Sequence, residues 1–537
     1  MAQTFDGIII GSGQHGLILG AYLAKAGLKI ALLERRQMYG GGLTTEERTL
    51  PGFYHNLHSI NHFDLTNTPW YRDLELEATV PYITPRHEFA QPHRDGTALV
   101  FSRDIDETCA SIAQFSQRDA ETFREWNRKG EQMTRKIFLT ERFAAPLSKE
   151  ERESLLETSA LGREFLAITR RQPLDVVNEL FEHEKVKVLF LFKLSLFGTV
   201  LREALYDSSP VGSTVRAFDL TTGYQLCKGG SWNLARGLME RFIAAGGTFL
   251  NQVETERIVV TDGRATGVEL TDGRTLNARQ FVASTVDVHQ TFEQFVGREQ
   301  LPPAYLEKLD RFHYTTWTLF GLHLALNEPP RYASNRFNPH VDVAMKHNIG
   351  SETIDGLFKL HADVATRQNV PSVEDIQFGA GTMTLIDPSQ APPGKHTAYA
   401  WHLMPLAPNG SRQVADEIRE SFAEQILDKW REYAPNLTND NIVGRYVYTA
   451  NDYTGQLINM RHGDIFMGAL SADQVLYNHW GYRTPIAGLY MAGSPTHPNG
   501  AISGGGGYIA AGVIADDLGL KKWWAPVDVR QALEALR

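Results

Sequence analysis

The sequence predicts an α/β protein in which a parallel-sheet nucleotide-binding domain is interleaved with a mixed α+β domain. Three observations predict it: a compact βαβ pattern in the first 34 residues, a second glycine-punctuated unit opening at Lys228, and a glycine-rich segment from Gly488 to Leu518. The 537 residues are enough for several domains, yet no linker or repeat divides them, so long insertions must fold back onto one core. The expected division is discontinuous: 1–65, 222–298 and 455–537 for the Rossmann-like domain, and 66–221 and 299–454 for the substrate-binding insertions.

Each element has a local reason. Residues 5–10 (FDGIII) are an apolar run of the kind buried in parallel sheets. Gly11-Ser12-Gly13-Gln14-His15-Gly16 follows, then a helical pattern through Leu17, Ala21 and Ala24 that Gly27 ends, and a second β-run from Lys29 to Leu33 closing on Glu34. From about 65 to 220 the pattern is helical and irregular. Its most apolar part, Val186 to Leu201, is interrupted by Lys187 and Lys193 and reads as a helix buried in the insertion, with a membrane-touching patch as the alternative. After Lys228-Gly229-Gly230 comes a helix through Leu234, Leu238 and Phe242, a strand around Phe249 to Val253, and hairpin turns at Asp262-Gly263 and Asp272-Gly273. Phe281 to Ser284 returns to the core. A strand is expected from Thr316 to Leu326, and a helix through Val414, Ile418, Phe422, Ile426 and Trp430, stopped by Pro435.

The glycine loop gains force from its context. Gly11 permits the tight turn, Gly13 lets backbone approach a pyrophosphate, and Gly16 lets helix pack on strand; the helix N-terminus faces the phosphates. Glu34, 23 residues after Gly11, is placed to accept ribose hydroxyls and would repel a 2′-phosphate, which disfavours NADP.

Glu34-Arg35-Arg36-Gln37-Met38-Tyr39-Gly40-Gly41 has the form ExRxxxGG, and here the chain resembles the FAD-dependent phytoene-desaturase and amine-oxidase superfamily. Within it, the chain is most similar to the phytoene-dehydrogenase-like branch that includes the pyridine nucleotide-disulfide oxidoreductase domain-containing protein 2 group. The Lys228 unit with Gly246-Gly247, the segment Ala391 to His396 (APPGKH), and Gly488 to Ser494 followed by Thr496-His497-Pro498-Asn499-Gly500 match the same family, so the resemblance runs nearly end to end. It implies FAD as cofactor, held by Gly11, Gly13, Gly16, Glu34, Arg35, Arg36, Gly40, Gly41, Gly42 and Leu43, by main-chain groups at Val253, and by Gly493, Asn499, Gly500 and Ile502 near the flavin ring. Asn499 stands where the commoner family form has a second glycine.

Composition narrows the function. Net charge is −10 with no basic run at either terminus, which argues against nucleic acid as the main partner. Two cysteines, Cys109 and Cys227, form no CxxC, and no second GxGxxG occurs, so the parts of a disulfide reductase are lacking. The chain reads as cytoplasmic, with peripheral membrane contact kept as an alternative.

For catalysis the candidates are Tyr54, His58, His62 and His497. Tyr54, His55, His58, Asn61 and His62 form a cluster after the flavin loop, read as base or substrate contact or as hydrogen-bonded structure; no carboxylate beyond Asp64 sits at metal-ligand spacing, so no metal is assigned. Trp317, Phe320, Trp401, Tyr446, Tyr448 and Tyr453 either line an apolar channel or pack a core. The expected activity is a desaturase taking hydride from a C–H bond of an isoprenoid or ring ketone to flavin N5, with oxygen or a quinone as the external electron acceptor. The alternatives are a flavin-dependent isomerase, an amine oxidase, or an escort-like prenyl-binding protein that does no chemistry.

Overall fold

A computed structural model describes residues 3–195, 215, 219 and 223–537. The nucleotide-binding sheet grows from the chain's first strand. β1 (Gln3–Ile10) leads through the glycine loop into α1 (Gln14–Lys25) and on to β2 (Ile30–Leu33). Much later come α2 (Trp232–Ala244), β3 (Thr248–Leu250), β4 (Thr255–Thr261), β5 (Arg264–Leu270), β6 (Thr275–Ser284), β7 (Leu489–Met491) and α3 (Gly505–Asp517).

Strands β3-β2-β1-β6 run in parallel. The far edge of β6 is shared: Thr275 to Asn277 pair with the antiparallel β5, and Val282 to Ser284 pair with the parallel β7. Both hairpin turns form where expected, with Asp262 and Gly263 at positive φ and Gly273 likewise. Helices α1, α2 and α3 share one apolar core with residues of the sheet, including Leu17, Tyr22, Leu238, Phe242, Ile514 and Phe281.

A second seven-stranded sheet carries the insertions, in the order 442–448, 317–326, 396–405, 378–381, 346–349, 87–92, 98–102. The strand expected from Thr316 spans Trp317–Leu326. The helix expected through Trp430 is broken at Ile418 (φ −90°, ψ 0°) into Gln413–Glu417 and Arg419–Arg431.

The cores cross the expected domain boundaries. Trp70, Leu74 and Val80 pack on the nucleotide-binding core, and Leu301 and Leu309 pack on the opposite face of its sheet. The apolar segment forms a helix at Glu184–Ser195, buried with Phe101, Phe123 and Phe181; its residues 196–201, and the boundary at 221–222, lie outside the described residues. No described helix is long and apolar enough to cross a membrane.

Candidate active site

The site begins where β1 ends. A Cβ on Gly16 would stand 2.0 Å from the Gly11 carbonyl oxygen, so only glycine lets α1 turn this sharply off the strand. α1 follows Gly13 at its N-cap, with no side-chain cap and no acidic residue in its first turn. Its N–H groups and positive dipole end are therefore left for an anion. Gly41, at φ +59°, brings a would-be Cβ within 3.0 Å of the Gly13 Cα, and Gly40 N donates to Ser12 O at 3.0 Å. The two glycine turns thus form a cradle that side chains would fill, which fits a dinucleotide pyrophosphate.

Glu34 stands beside the glycine loop. Its carboxylate accepts from Ser12 Oγ at 2.7 Å and from Arg36 N at 2.9 Å, while Arg36 donates to Gly41 O at 3.1 Å. Val253 N donates to Glu34 O at 3.0 Å. The N–H expected to grip adenine is therefore engaged by the chain itself.

The C-terminal loop reaches the same cradle. Gln14 Nε2 donates to Ala501 O at 2.6 Å and Gly504 N donates to Gln14 Oε1 at 3.1 Å. Helix α3 has no side-chain cap and opens on buried Gly505-Gly506-Gly507. A Cβ on Gly507 would lie 2.3 Å from His15 O, so the two helix starts cross at glycine contact.

From this cradle a cavity of about 400 Å³ continues into the second sheet, past Ser494, Ala501 and Ile502 on one side and Trp317, Leu319, Phe378, Trp401 and Leu403 on the other. Residues 16–512 match the family described as flavin containing amine oxidoreductase. The chain belongs to that family.

A limonene dehydrogenase polypeptide of Castellaniella defragrans is 31% identical over 546 residues, covering 97% of this chain and 96% of that one. Pyridine nucleotide-disulfide oxidoreductase domain-containing protein 2 of Mus musculus is 25% identical over 562 residues, with 96% and 94% covered. A lycopene-forming phytoene desaturase of Paracoccus sp. is 26% identical over 532 residues, with 95% and 97% covered. Among solved structures, an oxidoreductase from Methanosarcina mazei shares the fold with a TM-score of 0.57 at 17% identity, covering 95% of this chain and 99% of that one. Putrescine oxidase bound to putrescine does so at 0.55 and 14% identity, with 96% and 99% covered. As a member of the amine-oxidoreductase family with these relatives, the chain is an FAD-dependent oxidoreductase of the dehydrogenase and desaturase kind.

The family site sorts the expected residues into two groups. Gly11, Gly13, Glu34, Arg35, Arg36, Gly40, Gly41, Gly42, Val253 and Ile502 line the cavity, as do His58 and His62. Gly16, Leu43, Gly493, Asn499 and Gly500 stand behind it. Leu43 is a fully buried core residue. Gly493 and Gly500 clear the Thr285 and Phe466 carbonyls, where a Cβ would sit at 2.3 and 3.1 Å, and Asn499 N donates to Thr496 O at 2.9 Å at φ +79°. Gly493, Asn499 and Gly500 shape from behind the loop that carries Ile502.

Two catalytic candidates fall outside the cavity. Tyr54 is 39% exposed on a short ribbon with Glu47. His497 is buried, but its Nε2 meets the Glu141 carbonyl at 2.7 Å, which ties the flavin loop to the helical insertion. The three clustered histidines diverge: His55 meets Thr49 Oγ1 at 2.8 Å, His58 Nε2 faces Tyr448 at 3.4 Å, and His62 Nδ1 meets Tyr82 at 2.5 Å. Burial pushes His58 and His62 down to about 3, so both are neutral imidazoles at physiological pH. They serve as hydrogen-bonding groups and are poor proton acceptors.

Of the expected channel aromatics, Trp317, Trp401 and Tyr453 line the cavity. Phe320 instead packs edge-on against Phe422 in the sheet's other core, Tyr448 meets His58 edge-to-face, and Tyr446 lies beside Arg48. Sequence reading missed Lys346, which lines the cavity from the strand Lys346–Ile349. A lone charge beside the apolar Val343, Ala344 and Met345 was the available signal.

Proposed function

We propose that the protein desaturates an apolar cyclic or isoprenoid substrate held in the cavity beyond Trp317 and Trp401. One carbon loses hydride, its neighbour loses a proton to water, and a carbon–carbon double bond forms. FAD, when bound, supplies the two-electron acceptor, and oxygen or a quinone takes the electrons onward. The residues present do the placing: the glycine cradle and Glu34 fix the dinucleotide, the α3 start favours negative charge near the ring, and the aromatic wall positions the apolar substrate.

The observation that carries this reading is the continuous cavity running from the glycine loop to an aromatic and aliphatic wall on the second sheet. The relatives named for limonene and carotenoid substrates support it. We take the division into a discontinuous FAD domain and an inserted substrate domain as part of the same proposal. The test is the visible spectrum of the purified protein under anaerobic addition of monocyclic terpenes, C40 polyenes and their saturated precursors. Bleaching of the oxidised-flavin bands by one class supports the reading, and a flavin reduced only by amines overturns it.

A further inference from the structure

A second cluster of chemistry-bearing side chains lies outside the cavity. Among the described residues, His87, Glu107 and His340 form a group in which one ligand atom from each falls within 4.8 Å of the others. They come from three elements: the start of the strand His87–Pro92, the first turn of the helix Ile105–Ala113, and the short 3-10 helix Pro339–Val343. None of the three lines the cavity. Each backbone is pinned. His87 O accepts from Met345 N at 3.0 Å, the Asp104 carboxylate caps the Glu107 helix at 2.9 Å, and His340 N donates to Asn338 Oδ1 at 3.1 Å.

The spacing of these atoms suits an ion. His87 Nε2 stands 3.3 Å from Glu107 Oε2, yet it is buried and makes no hydrogen bond among the described residues. Two ligand atoms bound at about 2.0–2.1 Å to one tetrahedral Zn2+ sit about 3.3 to 3.4 Å apart, so this pair needs no rearrangement. Arg86 holds Glu107 chiefly through Oε1 and reaches Oε2 only at 3.4 Å, which orients the carboxylate with Oε2 towards His87. His340 stacks on His87, with ring centres 4.2 Å apart and 19° between the planes. Stacked rings keep their nitrogens parallel, so the third ligand arrives by turning the exposed His340 ring off the stack while its backbone stays in place. A water completes the tetrahedron, as at other sites with three protein ligands.

We propose that His87, Glu107 and His340 bind a divalent cation of the zinc class, which clasps the two stretches of the insertion together. Two imidazoles and one carboxylate are a donor set that Zn2+ accepts, whereas Mg2+ and Ca2+ call for an all-oxygen shell. The clasp has a mechanical reason. In the second sheet the two stretches pair through one short parallel ladder, Lys346 with Phe89 and His347 with Ala90. Because the ladder is parallel, the chain enters both strands from the same end, and there His87 and His340 meet. An ion joining them closes that end of the ladder. The site is independent of the desaturase reading.

The experiment uses the full-length, FAD-loaded protein without an affinity tag, freed of metal by chelator and titrated calorimetrically with ZnCl2. One equivalent is expected to bind, and the thermal midpoint should rise with Zn2+ and fall back when EDTA is added. His340→Ala, at an exposed position, should fold as the wild type does and bind Zn2+ about tenfold or more weakly. Glu107→Gln should weaken it likewise, and if that variant fails to fold, His340→Ala decides. His313→Ala is the control: His313 faces Asp473 at 4.0 Å and touches none of the three, so its loss should leave the Zn2+ affinity unchanged. The flavin bands should not shift on Zn2+ addition, because the ligands stand outside the cavity. Absence of saturable binding overturns the proposal, as does binding whose affinity survives both His340→Ala and Glu107→Gln. Zn2+ that perturbs the flavin and ignores both substitutions sits on the cavity histidines and overturns it as well.

Discussion

Gly13 and Gly16 belong to one motif but fail in different ways. Nothing lies closer than 4.0 Å to a Cβ on Gly13, whereas a Cβ on Gly16 meets the Gly11 carbonyl at 2.0 Å. Gly13→Val should therefore fold normally by circular dichroism yet purify without flavin absorbance. Gly16→Ala should lose about 1–3 kcal/mol in denaturant unfolding, with FAD present or absent. Lys346 gives a pH prediction. Its amine is held to about 7 in the folded chain against 10.5 when free, so between these values the unfolded chain binds the extra proton and stability rises with pH. The destabilisation from this group is complete below about pH 7 and gone above about 10.5. Lys346→Met should accordingly gain stability over the wild type at pH 6 to 7, and the gain should shrink towards pH 10. Gly13 was legible from spacing because its task is steric and local. Lys346 was not, because sheet register is what brings it opposite Gly381.

At the scale of elements, the flavin loop is anchored by contacts its motif does not announce. His497 is held by the Glu141 carbonyl, and Glu141 is paired with Arg152 by two hydrogen bonds of 2.5 and 2.9 Å, with side chains only 4% and 8% exposed. Removing one partner leaves the other charge buried. Glu141→Ala is expected to cost about 3–5 kcal/mol of stability and to loosen FAD, although it touches no expected cofactor atom. Tyr54→Phe is the matching control: on an exposed ribbon outside the cavity, it should leave FAD content and turnover within error of the wild type. The motif reading placed His497 beside the flavin because it is adjacent in sequence to the loop. It could not see the insertion helix that occupies its ring nitrogen.

At the scale of the whole molecule, the βαβ start, both hairpins and the glycine-rich close were readable because each depends on neighbours in sequence. The order of the second sheet was not, since strands 87–92 and 346–349 meet only through tertiary packing. In the proposed binding mode FAD joins parts remote from one another, so stripping it should lower the denaturation midpoint. Restoring it at a hundredfold excess over its dissociation constant should return about 2.7 kcal/mol. The Gln14 clamp carries a further consequence for synthesis. Its bonds to Ala501 and Gly504 span 487 and 490 residues. A ribosome that has made Gln14 must therefore add 490 further residues before this clamp can close. Stalled nascent chains ending before β7 should emerge colourless and stay so in excess FAD, and the yellow colour should appear only in chains extended past Gly504.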